Sequence, residues 1–208
     1  IGVTDILARS QLNDQQQNYV GMIQKSGDSL LRIINDLLDV AKIEADILRI
    51  EQADFCLQTE LQNIIEILAV KVHEEVKLSY SVDPDIPTML RGDAARLRQV
   101  IMNLATNAVK FTRQGEVSIK AVLHDRRHDG LHLRITVTDT GIGIPAEKIQ
   151  DIFKPFEQVD TSTKRTFGGL GLGLPISAAI VKAMGGEIGV NSEPGRGSQF
   201  FFTVVVSE

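Results

Sequence analysis

Glycine divides this chain into two physical regimes before any other feature is considered. Residues 1–52 hold only Gly2, Gly21 and Gly27 of its 17 glycines and no proline, whereas residues 141–197 hold eleven glycines. A stretch without backbone breakers is free to form one long helix; a glycine-dense stretch is one where the backbone turns sharply or approaches something closely. In the first regime Asn13 or Asp14 stands at an N-cap position before a run of Gln. Tyr19, Ile23, Ser26, Leu30, Ile33, Leu37, Val40 and Ile47 then recur at steps of three, four or seven. The spacing predicts one apolar stripe over about 36 residues, roughly 54 Å of helix. The ten residues before it cannot cover such a stripe. The first regime is therefore expected to be a helix, a short turn and a long helix that pairs with a second copy in a bundle. Packing against the rest of the chain is the alternative.

From about Phe55 the periodicity alternates between helix and strand. Thr59–Glu75 reads as a helix with Leu61, Ile64, Ile65, Leu68 and Val72 on one side, and Lys77–Val82 as a strand ended by Pro84 and Pro87. Asp93 caps a predicted helix to about Lys110. Strands follow at Val117–Leu123 and Leu131–Thr138, joined by a polar turn over Asp125–Gly130. After a short helical stretch beyond Pro145 and an aperiodic polar segment Gln158–Thr166, a helix at Leu172–Met184 and strands at Glu187–Asn191 and Gln199–Val206 complete the pattern. The fold class is α+β: a long helical hairpin, then a two-layer sandwich with helices on one face of a mostly antiparallel sheet.

Composition narrows the function. A chain of 208 residues buries roughly 70% of its unfolded surface, enough for a core without staples. The single cysteine, Cys56, lies between Phe55 and Leu57 and is expected in the core, in a reducing compartment. A net charge of −5 excludes a dedicated nucleic-acid binder, which needs a basic stripe. No apolar run approaches the ~18 residues of a bilayer span, so no direct membrane contact is expected. Ile1 stands inside a helical pattern without an initiator Met, as in a fragment of a longer protein.

Three segments carry residue types that packing alone does not demand. On the predicted helix Asp93–Lys110, Asn103, Asn107 and Lys110 stand at i, i+4 and i+7 and share one face within about 60°. A solvated face is the plain reading of a polar stripe, yet such faces favour Glu, Lys, Gln and Arg over Asn. Amide oxygens suit Mg²⁺, and an ammonium suits phosphate. The second segment, Asp139-Thr-Gly141-Ile-Gly143-Ile-Pro145, follows a predicted strand. Gly141-x-Gly143-x-x-Ala146 fits the loose dinucleotide fingerprint, but the following helix is short and no parallel strand ends in an acid about 20 residues on. A carboxylate there is placed to accept from an amine such as that of adenine, with glycines admitting the ring. An ordinary strand-end turn uses the same residue types. Third, Gly168-Gly169-Leu170-Gly171-Leu172-Gly173 runs into a helix whose N-terminal amides suit a phosphate, without the GxxxxGK[ST] of a P-loop. Upstream, Thr161, Ser162, Thr163, Lys164 and Arg165 have the composition of a lid or of a flexible linker.

In this order and spacing, Asn103-Leu-Ala-Thr-Asn107-Ala-Val-Lys110-Phe111, Asp139-Thr-Gly141-Ile-Gly143-Ile, Phe153-Lys-Pro-Phe156 and Gly169-Leu-Gly171-Leu-Gly173-Leu resemble the N, G1, F and G2 boxes of sensor histidine kinases. The resemblance covers the whole chain. Residues 1–52 are similar to the end of the dimerisation and phosphotransfer hairpin, with Ser29–Glu44 typical of hybrid sensor kinases. Residues 53–208 are similar to the ATP-binding domain with the Bergerat fold, shared with gyrase-type topoisomerases and heat-shock chaperones, its lid at about 154–170.

The resemblance implies roles for individual residues. Asn103, Asn107 and Lys110 form the catalytic set, with Asn107 on Mg²⁺ and Lys110 on a phosphate. Asp139 binds the adenine amine, Gly141, Gly143 and Phe111 shape the base pocket, and Gly169, Gly171, Leu172 and Gly173 serve the lid and the phosphates. Phe153 and Phe156 anchor the lid or are plain core aromatics. The implied cofactors are ATP and Mg²⁺; the implied partners are a second copy and a response-regulator receiver domain, and the implied location is cytoplasmic. Two departures stand out. Leu170 occupies a position where the family usually has Thr, and none of His73, His124, His128 and His132 has the context of a phosphoacceptor. The fragment is thus expected to begin just after its own nucleophile and not to phosphorylate itself. The competing readings are a nucleotide-sensing module without kinase activity and a topoisomerase-type ATPase clamp. Asn103 disfavours the clamp, because an amide cannot take a proton from water.

Overall fold

In a computed structural model, residues 2–8, 10–45, 47–70, 72–157 and 171–208 are described. They form two compact units, Ile1–Ile47 and Leu48–Glu208.

The first unit is α1 (Gly2–Ala8) and α2 (Asp14–Glu44). Asn13 starts α2 with a reciprocal cap: its Oδ1 accepts from the Gln16 N–H at 2.9 Å and Gln16 Oε1 accepts from the Asn13 N–H at 3.0 Å. Two otherwise orphaned donors are thereby satisfied. Asp14 in the first turn and Lys42 in the last complement the helix dipole. The helix stops at Glu44, so Ile47 lies beyond it and the stripe is shorter than its spacing predicts. Along α2, Tyr19, Ile23, Leu30 and Leu37 are about half exposed, together with Met22, Leu31, Ile34 and Leu38.

The second unit is built on a five-stranded sheet. Its strands are β2 (Val76–Val82), β4 (Gly115–Arg127), β5 (Gly130–Asp139), β6 (Ile188–Glu193) and β7 (Gly197–Val206), in the spatial order β2-β4-β5-β7-β6. Only β2 and β4 run parallel. The inner face of the sheet, including Ile119, Leu133, Ile135 and Phe202, is fully buried. A layer of α3 (Leu57–Ala69), α4 (Ala94–Phe111) and α5 (Gly173–Ala183) covers it, contributing buried Leu61, Ile64, Leu97, Ile101, Leu104, Ile176 and Ile180. This is the expected two-layer sandwich.

Several boundaries differ from the periodicity. α3 ends at Ala69, so Val72 is off the helix; the chain then turns through Val76 N–H to His73 C=O to enter β2. Most of the polar segment Asp125–Gly130 is strand, because β4 and β5 stay paired to Arg127 and Gly130 past an irregularity between Leu123 and Asp125. Two short strands, β1 (Ala53–Phe55) and β3 (Leu90–Gly92), pair antiparallel and escape detection because three residues carry no readable period. Cys56 is not in the core. It sits half-buried at the N-cap of α3, where the Thr59 hydroxyl and N–H hold its thiol below the usual range. Phe55 and Leu57 on either side supply the buried contacts instead.

Asp93 does more than cap α4. One carboxylate oxygen accepts from Arg96 N–H and the other from Glu51 N–H, both at 2.9 Å. A buried carboxylate so bonded ties the segment before β1 to the start of α4.

Candidate functional site

The end of β5 and the loop after it, the end of α4 and the start of α5 hold most of the singled-out residues. Asp139 is the last residue of β5 and is only 6% exposed. Its Oδ1 accepts from the Gly141 N–H at 2.9 Å. Burial raises its pKa, opposed by the backbone N–H groups of Gly141 and Ser198. The result is a carboxylate at the base of a strand end with acceptor capacity left for a donor.

The loop after Asp139 is fastened on two sides. On one side a side chain at Gly141 would run into the carbonyl of Phe111 and lie 2.9 Å from Asp139 Oδ1, so only glycine lets the loop nest against the end of α4. The Ile142 N–H donates to that same carbonyl at 3.4 Å. On the other side Gly143 has φ +69, and a Cβ there would strike the Glu193 carbonyl. Here the Gly195 N–H donates to the Ile142 carbonyl and the Ile144 N–H to Ser192 Oγ, each at 2.8 Å.

On α4, Asn103 turns its amide nitrogen to α5, donating to the Gly173 carbonyl and to Ser177 Oγ, each at 3.3 Å. It is therefore not on a freely solvated face, and its oxygen is the atom left over. Asn107 lies one turn further on, and among the described residues nothing hydrogen-bonds its carboxamide. Lys110 Nζ stands 4.8 Å from the centroid of the Phe111 ring, which is about one-third exposed. α5 starts at Gly173 without a side-chain cap, so its first amides have no side-chain acceptor, and Leu172 before it is buried. A Cβ at Gly173 would come no closer than 3.7 Å to the Asn103 carboxamide, so the described residues leave room for a larger residue there.

The Phe156 N–H donates to the Gly171 carbonyl at 3.3 Å, and both residues have positive φ. Phe156 is 65% exposed and so is not a core aromatic, whereas Phe153 is partly buried. Gly169, Leu170, the segment from Thr161 to Arg165 and most of the expected lid lie outside the described residues.

Sequence reading missed Ser192 and Ser198, which flank the loop from β6 and β7. The available signal was Ser192-Glu-Pro-Gly-Arg-Gly-Ser198, two hydroxyls and two glycines between strands. A β-turn uses the same residues, so the signal was weak.

Acceptor, glycine loop and uncapped helix start sit on a scaffold that can be compared with known proteins. Residues 92–208 match the family described as histidine kinase-, DNA gyrase B-, and HSP90-like ATPase, and residues 1–46 match the His Kinase A (phospho-acceptor) domain. The chain belongs to this histidine kinase-type ATPase family. It is 44% identical to the sensor protein GacS of Pseudomonas syringae pv. syringae, over 98% of this chain and 23% of that protein. It is 42% identical to hybrid signal transduction histidine kinase A of Dictyostelium discoideum, over 96% of this chain and 10% of that protein. With the signal transduction histidine-protein kinase BarA of Escherichia coli K12 it shares 37%, over 98% of this chain and 22% of BarA. The chain thus spans less than a quarter of the length of these relatives. The crystal structure of full-length ShkA in complex with AMPPNP matches with a TM-score of 0.79 at 33% identity, over 99% of this chain and 42% of that one. The histidine kinase AdeS of Acinetobacter baumannii shares the fold, with a TM-score of 0.68 over 96% of this chain and 88% of that one at 21% identity.

Proposed function

We propose that this chain binds Mg-ATP and delivers the γ-phosphate to a histidine on a dimerising hairpin, for relay to an aspartate of a receiver domain. The observation that carries the reading is the buried Asp139 carboxylate beside a glycine loop nested under α4. It is an acceptor for an exocyclic amine, held in place by the Gly141 N–H of a loop that packs against the Phe111 and Glu193 carbonyls. Gly141, Gly143 and Phe111 shape the base pocket. Lys110 and the uncapped amides at Gly173 serve the phosphates, an ammonium and a helix start both favouring anions. Gly173, which no atom of the described residues requires, fits close approach of such a ligand. Gly169, Gly171 and Leu172 belong to the same phosphate-side segment.

A divalent ion fits as part of the nucleotide complex rather than as a resident metal. Among the described residues no group of three or more His, Cys, Asp or Glu could hold one. The Asn107 carboxamide would supply one hard oxygen to such an ion, the remaining ligands coming from phosphate and water. Bound there, Mg²⁺ would neutralise phosphate charge. Asn103 steadies α5 against α4 through its amide nitrogen, which donates to Gly173 and Ser177. Neither amide can take a proton from water, so the chain holds and aligns the phosphate for an incoming imidazole.

The acceptor does not lie within residues 1–52, which contain no histidine. The exposed apolar stripe on α2 supports pairing with a second copy. No helix among the described residues is long and apolar enough to cross a membrane.

Labelled ATP tests the reading. The chain alone is expected to stay unlabelled, while an added hairpin from a homologous sensor kinase bearing its phosphoacceptor histidine acquires acid-labile phosphate. Stoichiometric labelling of His73, His124, His128 or His132 would overturn the assignment, and steady ATP hydrolysis without any acceptor would favour an ATPase. Asn107→Ala is expected to weaken ATP binding about tenfold in Mg²⁺ and little in EDTA. Equal losses measured by calorimetry in both conditions would remove Asn107 from the metal's shell.

A further inference from the structure

Asp139, Ser198 and Ser192 form one row across three neighbouring strands. Asp139 of β5 is the register partner of Ser198 of β7, and Ser198 is the register partner of Ser192 of β6. Residues directly opposite one another share a face of the sheet. Asp139 and Ser198 are both buried, and Ser192 is partly buried.

Ser192 Oγ has three polar neighbours. It accepts from the Ile144 N–H at 2.8 Å, it reaches the Gly197 carbonyl at 2.9 Å, and it lies 3.0 Å from Ser198 Oγ. A hydroxyl has one proton and two lone pairs. Only one arrangement uses all of them: Ile144 N–H and Ser198 O–H donate in, and Ser192 O–H donates out to Gly197. The reverse direction between the two serines takes the proton from Gly197 and leaves a lone pair of Ser192 unfilled, which a part-buried site disfavours. With its proton turned toward Ser192, the Ser198 oxygen shows only lone pairs to the space beside Asp139. The row then offers acceptors and no donor. A purine with an amine at position 6 brings donors to that place, whereas a 6-oxo purine brings another acceptor.

We propose that Ser192 is a positioning residue for the purine. Its hydroxyl fixes the end of the Gly141–Ile144 loop and the direction of the Ser198 proton, and so sets the preference for a 6-amino over a 6-oxo base. Ser192 does not touch the nucleotide in this scheme. The inference rests on the reading that Asp139 holds the base, and it adds a specificity role to a residue outside the four sequence boxes.

Competition binding of ATP and GTP to the 208-residue chain tests it. Ser192→Ala frees the Ser198 proton to meet a 6-oxo group, and the ATP-over-GTP preference is expected to fall about tenfold. Ser192→Thr keeps the hydroxyl and is expected to restore the preference to within about twofold of the unaltered chain. Thermal midpoints recorded on the same samples separate this from general loosening, which lowers both affinities and leaves their ratio alone. An unchanged ratio in Ser192→Ala overturns the proposal, as does a Thr variant that behaves like Ala. If Ser192→Ala does not fold, Ser192→Cys, whose thiol bonds weakly, is read instead: a reduced ratio supports the proposal and an unaltered one overturns it. Asp139→Asn separates the two layers. A ratio lost in Asp139→Asn but kept in Ser192→Ala defeats this inference alone. A ratio kept in Asp139→Asn defeats the base-site reading and this inference with it.

Discussion

Asp139→Asn is expected to lower ATP affinity about 100-fold, or roughly 2.7 kcal/mol, while leaving the fold as stable as before. The carboxylate carries acceptors only; the amide keeps one and replaces the other by an NH₂ group. Gly141 N–H holds the oxygen of the new side chain in place, so the NH₂ is left facing the base. There it meets an amine, donor against donor, and a buried donor left unpaired is costly. Stability is not expected to fall, because burial already disfavours the charge of Asp139 and a neutral amide removes that cost, offsetting the weaker bonds to the backbone N–H groups. The same burial gives a pH signature. Binding needs the ionised form, and the pKa is raised. ATP affinity therefore falls on acidification at a higher pH than an exposed aspartate, near 3.9, would give. Calorimetric titration with ATP, paired with thermal melts, checks both halves. Native affinity in the variant, or a large fall in its melting temperature, would contradict the assignment.

The second large effect is expected at Gly143, read against Gly195. Both have positive φ, +69 and +76, but a Cβ at Gly143 meets the Glu193 carbonyl while one at Gly195 meets nothing within 4 Å. Each alanine substitution carries the left-handed backbone penalty of about 1–2 kcal/mol. Only Gly143→Ala must also push the loop off the β6–β7 turn, breaking the bonds of Ile144 to Ser192 and of Gly195 to Ile142. We expect Gly195→Ala to melt about 2–6 °C lower with ATP binding retained, and Gly143→Ala to melt about 8–16 °C lower with binding abolished. Equal melting shifts would mean that the close approach, as distinct from the conformation, contributes nothing.

These two residues show what a sequence reveals and what it conceals. The carboxylate and the glycines of the loop stood out through their order and spacing with the other segments, since their residue types alone suit an ordinary strand-end turn. The reason each glycine is needed was not, since it depends on the Phe111 and Glu193 carbonyls, 30 and 50 residues away in sequence. Ser192 and Ser198 were passed over because a serine beside a turn is ordinary until register aligns it with an aspartate one or two strands away. The sandwich was readable from alternating periods, since β5 buries every second residue. The pair β1–β3 was not, being too short to show a period. Asn103 stood out as an odd choice for a solvated face, but nothing local could show that α5, 70 residues further on, engages its amide.

The stripe left uncovered on α2 has a consequence for how such a chain persists at different copy numbers. If its cover is another molecule, the cohesion of the N-terminal rod is second order in concentration, strengthening as copies accumulate and fading on dilution. The sandwich, whose apolar interior is filled by its own helices, has no such dependence. Abundance would then govern the smaller unit of the polypeptide and leave the larger one indifferent.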